Sequence, residues 1–238
     1  MLAQPKTARS PAPVFAPYQP DAHSRHAWMP FCAVGALAFA VYANSLHSGF
    51  ITDDQFQILS NPVVTGGKNL WTAFGSGVWE FLHYRGNYFR PLQFVIYGFM
   101  YRAFGAHAFP FHVLMALLHA LNSALLLALA RRLLSGAPAA VSYVAASLFA
   151  VHPIHTEAVN WIAALPDVLA TTCALTGLLL FAAQNAAPTV AEALLHAAIY
   201  LAALLTKETG VVLLPLYFAY QRLRGARANA FMYRAMSA

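Results

Sequence analysis

Charge is what this sequence has least of. Of 238 residues only 9% are Asp, Glu, Lys or Arg, and just eight are acidic, against about 25% charged in an ordinary soluble domain. A water-facing surface cannot be assembled from so few charges, which excludes a soluble globular domain of this size. Cysteine is also scarce. Cys32 and Cys173 both lie inside apolar runs, where a free thiol behaves as a small hydrophobe, so no disulfide is expected and the pair does not define a redox compartment. No repeat with a period of about 20–50 residues is present, which excludes a solenoid in this stretch. The net charge of +6 comes from basic residues beside apolar segments, not from one long patch. They read as topology signals rather than as a footprint for nucleic acid.

Apolar residues make up 60% of the chain. Runs such as Trp28 to Leu46 and Phe111 to Ala130 reach or approach the ~20 residues needed to cross a ~30 Å hydrocarbon core as helix. Further apolar segments follow at Phe89 to Gly105, Ala137 to Val151, Asp167 to Ala183, Ala191 to Leu205 and Gly210 to Tyr220. Backbone polar groups in lipid must be satisfied within the segment. The pattern therefore predicts an all-α polytopic membrane protein of about six to seven apolar helices, with one long non-cytoplasmic loop carrying an Asp-Asp motif.

Residues 1–27, with Lys6, Arg9, Arg25 and five prolines, read as a disordered cytoplasmic tail. The apolar run after them exceeds the core of a signal peptide and reads as a retained first helix. Residues 28–222 form the membrane domain, 47–88 its first external loop and 223–238 a second cytoplasmic tail. The basic clusters Arg131/Arg132 and Arg222/Arg224/Arg227 belong on the cytoplasmic side. That places Asp53/Asp54, His152 to Asp167 and Lys207/Glu208 on the far side. Strict alternation would break this assignment if Phe89 to Gly105 crossed, so that segment is expected to be re-entrant or interfacial.

Four elements could carry chemistry. Asp53 and Asp54 are adjacent and repel one another, which favours a bound cation or proton; a solvated turn is the bland alternative. Arg90, before Pro91 at a helix start, could snorkel to lipid headgroups or grip a phosphate with two hydrogen bonds. His152, His155 and Glu157, followed by Asp167, are expensive beside apolar helices unless they line a cavity. The first three do not share one helical face, which argues against a zinc-protease helix. Lys207 and Glu208 read either as a structural ion pair at a turn or as a cation facing a phosphate.

The ordered set Tyr42-Ala-Asn-Ser-Leu, Gly49-Phe with Asp53-Asp54, Asn61-Pro, Phe89-Arg-Pro-Leu, Phe104-Gly, Phe111-His, Leu118-His-Ala-Leu-Asn, Leu148 to Ile162 and Thr206-Lys-Glu-Thr-Gly resembles the membrane half of the transmembrane and tetratricopeptide-repeat O-mannosyltransferase-like proteins, which are C-type glycosyltransferases. The resemblance covers about residues 28–225. It implies a lipid-linked sugar transferase that moves a sugar from a polyprenyl-phosphate donor to a protein or other hydroxyl acceptor, such as a glycan, on the non-cytoplasmic face. It further implies Asp53 and Asp54 as catalytic, Arg90 and Lys207 as donor-phosphate ligands, and His152, His155, Glu157 and Asp167 as pocket lining. Leu165-Pro166 stands where relatives commonly place an arginine two residues before the aspartate that matches Asp167. Relatives also continue into more helices and helical repeats, so a truncated member, a fragment or part of a split enzyme is expected.

Two other function classes stay open: a non-catalytic membrane scaffold or remnant of the fold, and a small transporter using the carboxylates as ion sites. Transporters usually have internally related halves, and none is visible here. Mg²⁺ or Mn²⁺ would suit the carboxylates, which can also serve without metal. Membrane lipids are expected partners and nucleic acid is not. The expected location is multi-pass in a bacterial inner membrane rather than the endoplasmic reticulum.

Overall fold

The computed structural model describes residues 26–84, 86–184 and 188–224. Most of the expected N-terminal tail, nearly all of the C-terminal one including Arg227, and Arg85 lie outside the described residues. Among those residues there are helices and no strand: α1 (Met29–Val41), α2 (Pro62–Thr65), α3 (Pro91–Phe104), α4 (Ala108–Leu133), α5 (Ala139–Val151), α6 (Thr156–Asn160), α7 (Leu165–Ala183), α8 (Val190–Thr206) and α9 (Leu213–Arg224), with 3₁₀ and π turns between them.

Local chemistry sets the boundaries. Proline occupies the first turn of α1, α3 and α7, where its missing N–H would have had no partner anyway. α8 opens on a capping box, in which the Thr189 hydroxyl and the Glu192 carboxylate satisfy each other's backbone N–H. The expected run Trp28 to Leu46 is α-helical only to Val41 and then tightens into a 3₁₀ turn over Ala43–His47. The buried Ser45 hydroxyl donates to the Tyr42 carbonyl at 2.8 Å, a local bond that competes with the helical ladder.

Two stretches, Ala108–Leu133 and Ile162–Ala183, are long and apolar enough to cross a membrane, and Met29–Val41, Ala139–Val151 and Val190–Thr206 are shorter apolar helices. Polarity is inverted relative to a soluble bundle. Leu117, Leu121, Val144, Leu148, Leu194 and Leu201 are exposed, whereas His112, His119, Asn122 and Ser123 of α4 are buried. Lipid is the solvent that rewards this arrangement, and the chain is a membrane protein.

α4 is the hub, packing against α1, α5 and α7. At one end of the bundle, Tyr42 after α1 donates to the His152 carbonyl at 3.1 Å, His119 bonds Ala150 near the end of α5, and Asn122 donates to Val168 near the start of α7. At the other end, the Arg131 guanidinium lies over the rings of Phe31 and Tyr143. α1 and α5 thus run antiparallel to α4, whereas α7 runs parallel to it, since Leu129 further along α4 packs with Leu175 and Ala182 further along α7. α8 returns antiparallel to α7, since Gln184 meets His196 while Lys207 pairs with Asp167. α9 packs back on α7, where Gly177 is needed because the Tyr217 hydroxyl lies 2.0 Å from where a Cβ would stand.

α3 behaves differently. It starts beside Glu208, bonded by Arg90, and only three residues separate its end from α4. In the first turn of α4, Phe111 meets Phe50 and Tyr97. Both ends of α3 therefore lie at the same end of the bundle. It packs on α2, on the neighbouring 3₁₀ turn Leu70–Gly75 and on α8, within the core that also holds Ile58, Val63, Val78 and Ile162.

Candidate functional site

The acidic pair sits on a strained turn. Thr52 has φ of 42°, a left-handed conformation that a β-branched residue rarely adopts and that persists only where surroundings enforce it. Part of the enforcement is visible: the Asp54 amide donates to the Ile51 carbonyl at 2.9 Å, while the Ile51 amide donates to Asp54 Oδ2 at 3.1 Å. The other oxygen, Oδ1, accepts from the Ala163 amide at 2.7 Å, so Asp54 fastens the first loop to the 3₁₀ turn that starts the second long span.

The two aspartates are not equivalent. Asp54 is fully buried, with both oxygens engaged, whereas Asp53 is half-buried and accepts no hydrogen bond from a described residue. Burial pushes the Asp54 carboxyl up to about 6; the Asp53 charge adds to the rise, and the Ile51 and Ala163 amides oppose it.

A buried polar chain supports the turn. Gln93 of α3 donates to Gln57 Oε1 at 2.6 Å and to the Tyr97 hydroxyl at 3.2 Å, and that hydroxyl donates to the Ile162 carbonyl at 2.6 Å. The Tyr97 hydroxyl lies close enough to Asp54 and Arg90 to feel both charges. Sequence reasoning missed Gln57, Gln93 and Tyr97. The i,i+4 spacing of the last two inside an apolar helix was the available signal.

Arg90 and Lys207 stand at this same end, each held by a carboxylate. Arg90 makes a two-point contact with Glu208, Nη2 to Oε1 at 2.7 Å and Nε to Oε2 at 3.3 Å, and lies over the Tyr88 ring. Lys207 pairs with Asp167. Of the two readings of Lys207 and Glu208, an ion pair between these neighbours is not formed: Lys207 is in extended backbone, which points neighbouring side chains apart. Gly210 makes the turn possible, since a Cβ there would stand 2.6 Å from the Ala203 backbone. The Arg90 hydrogen bond holds the Glu208 carboxyl below its usual range. Asp167 at the start of α7 and Lys207 at the end of α8 each also suit the helix dipole they face.

His155 and Asp167 line one cavity of about 210 Å³, together with His119, Asn122, Phe149 and Thr171. His152 and Glu157, also expected there, are exposed and do not line it. The His152 ring instead caps the turn by accepting from the Ile154 amide. Burial holds His155 below its usual range, and the neighbouring His119 and His152 add to this. His119 and Asn122 were quoted in the Leu118-His-Ala-Leu-Asn motif but not assigned to the pocket; their i,i+3 spacing puts them on one helix face. No group of three or more His, Cys, Asp or Glu that could hold a metal ion exists among the described residues, and Asp54 has both oxygens committed to amides, so these residues do not fit a Mg²⁺ or Mn²⁺ centre.

The chain is 34% identical over 183 residues to the protein O-mannosyl-transferase Tmtc1 of Drosophila melanogaster, covering 75% of this chain and 21% of that protein. It is 37% identical over 147 residues to Tmtc2 of the same fly, covering 60% and 15%, and 32% identical over 198 residues to human TMTC1, covering 75% and 22%. It thus spans about a fifth of the length of the curated relatives it matches. No family model matches the chain, and no solved structure does.

Proposed function

We propose, for a chain that is a TMTC-like relative of the protein O-mannosyl-transferases over part of its length, that it forms the membrane-embedded site of a lipid-linked sugar transferase. The donor is a polyprenyl-phosphate sugar and the acceptor a hydroxyl of a protein or glycan. The observation that carries this reading is the division of labour in the acidic pair. Asp54 is spent on two backbone amides, which leaves Asp53 as the carboxylate available to a substrate.

Asp53 takes the proton of the acceptor hydroxyl. The acceptor oxygen bonds to the anomeric carbon while the bond from that carbon to the phosphate oxygen breaks, and the electron pair leaves with the lipid phosphate. Arg90 and Lys207 stabilise that departing charge by exchanging Glu208 and Asp167 for phosphate oxygens. In this reading the two carboxylates keep the cations placed and desolvation small while no donor is bound.

The reading extends to topology. α1, α4, α5, α7, α8 and α9 cross, and α3 is interfacial because both ends of this one helix lie at one end of the bundle. That end, with Asp53, Arg90 and Lys207, is non-cytoplasmic, and the end with Arg131, Arg132 and Arg222 is cytoplasmic. A bacterial inner membrane remains part of the proposal; the relatives named above are animal proteins. A non-catalytic scaffold is the second reading, favoured by the engagement of both cations in ion pairs.

The test is donor-dependent transfer by the purified chain in detergent or nanodiscs. Asp53→Asn should lower turnover by roughly 10²- to 10⁴-fold with membrane insertion and Tm unchanged. Full activity in that variant rules Asp53 out as the base, and an inactive wild-type chain that still folds leaves the scaffold.

A further inference from the structure

The buried polar chain behind the acidic pair closes on itself through a single peptide group. Tyr97 donates its hydroxyl proton to the Ile162 carbonyl at 2.6 Å, and the Ala163 amide donates to Asp54 Oδ1 at 2.7 Å. That carbonyl and that amide belong to one planar unit, the bond between Ile162 and Ala163, so their directions are fixed relative to each other. Tyr97 therefore grips one edge of the plane and Asp54 the other. A rotation of the plane that breaks one bond disturbs the other as well. A carbonyl that accepts a hydrogen bond also makes the N–H of its own peptide a better donor.

The direction of every bond in the chain follows from this carbonyl. A carbonyl oxygen can only accept, so the Tyr97 hydroxyl commits its one proton to Ile162. The neighbour at 3.2 Å from that hydroxyl must then be a donor, the Gln93 NH₂, and the atom that this NH₂ meets at 2.6 Å must be the acceptor oxygen of Gln57. Gln57 stands three residues after Asp54. The path from Asp54 through Gln57, Gln93, Tyr97 and the Ile162–Ala163 peptide back to Asp54 is therefore a ring. It joins the first loop, α3 and the start of the second long span, and every residue that bonds in it is buried. The Gln93 Oε1 is left with no hydrogen-bond partner among the described residues, which is destabilising. The reversed amide would set two acceptor oxygens against each other and draw the Tyr97 proton away from Ile162.

Thr52 shows why the turn needs this ring. Its left-handed φ persists only under constraint. The two bonds between Ile51 and Asp54 are made within the turn itself, whereas the ring constrains the turn from outside.

We propose that Tyr97 is a positioning residue: by fixing the plane of the Ile162–Ala163 peptide it holds Asp54, and through Asp54 it holds the turn that presents Asp53 to a substrate. The proposal rests on the transferase reading above for the role of Asp53 and adds the residue of α3 that sets its place.

Hydrogen exchange of the Ala163 amide reads this link without any activity. In the purified full chain in detergent, Tyr97→Phe keeps the ring and removes only the hydroxyl. Exchange at Ala163 should then quicken about tenfold, the factor that one typical hydrogen bond supplies, while amides in the middle of α4 change by less than about twofold. Turnover should fall about ten- to hundredfold through misplacement of Asp53, with acceptor KM changed by less than about twofold. Val64→Ala is the comparator. It thins the same core without touching the ring, so it should lower Tm but leave turnover, and Ala163 exchange relative to α4, as in wild type. Should Tyr97→Phe fail to fold, Gln93→Met, which removes the donor that holds the Tyr97 hydroxyl, should quicken Ala163 exchange about threefold or more. An Ala163 amide that exchanges no faster in the folded variant overturns the proposal. So does full turnover in a variant whose Ala163 amide has lost protection, since Asp53 is then placed without the ring. A wild-type chain without transfer activity overturns the transferase reading alone, and the exchange result still decides whether Tyr97 holds Asp54.

Discussion

Replacing Asp54 by asparagine tests whether this carboxylate is the buried clamp described above. Burial raises its pKa from 3.8 to about 6. The native chain therefore retains a proton between those values that the unfolded chain has already released. Stability from this group is fully present below pH 3.8 and is lost as pH rises through about 6. The window spans about 2.2 pH units, or about 3 kcal/mol at 1.36 kcal/mol per unit, which corresponds to roughly 6–12 °C in Tm for a chain of this length. Asparagine cannot ionise, so its Tm should lack this fall. Its NH₂ also faces one of the two amides that Asp54 accepts from, which costs about 1–3 kcal/mol and offsets the whole curve. The difference in Tm between the two proteins across pH 4–7, not its absolute value, is therefore what should be read. Glu208 has the opposite sign: folding lowers its pKa, so its contribution is present above the usual carboxylate range and lost as pH falls. It is common to both proteins and cancels in the difference. Parallel Tm profiles for wild type and Asp54→Asn would refute the buried, proton-retaining clamp.

Other consequences are direct. Arg90→Lys keeps the charge but loses the planar two-point grip, so donor KM should rise about tenfold or more with Tm changed by no more than a few degrees; an unchanged KM removes Arg90 from the donor site. Single cysteines at Asn69 and His107, both exposed, should be labelled by an impermeant thiol reagent from the same, non-cytoplasmic side, and one at Gly136 from the cytoplasm. Labelling of 69 and 107 from opposite sides would mean that α3 crosses. Gly177→Ala places a methyl against the Tyr217 hydroxyl and should destabilise by about 1–3 kcal/mol through overpacking. Adding Tyr217→Phe should recover much of that loss, and Tm measurements on the single and double variants check the pair.

Much of the fold was legible because lipid imposes a simple rule. A segment that buries its backbone in hydrocarbon must be apolar and helical, so the run that became α4 was visible within three residues of its ends. The proline and capping positions that open α3, α7 and α8 are likewise local signals. That Asp53, Asp54, Arg90 and Lys207 are uncommon charges beside apolar sequence could also be read along the chain. What could not be read was who meets whom. Asp54 takes its decisive hydrogen bond from Ala163, 109 residues away, and Arg90 finds Glu208 at a separation of 118. Adjacent residues in sequence turned out to have different partners, Lys207 with Asp167 and Glu208 with Arg90, because an extended backbone sends neighbouring side chains apart. Sequence supplied the membrane solvent, the helices and the scarce charges, all governed by short-range chemistry. Only the antiparallel return of α8 along α7, and the packing of α3 across one end of the bundle, decided which aspartate is sealed and which stays half-exposed, because burial is a property of packing between distant segments and not of any one of them.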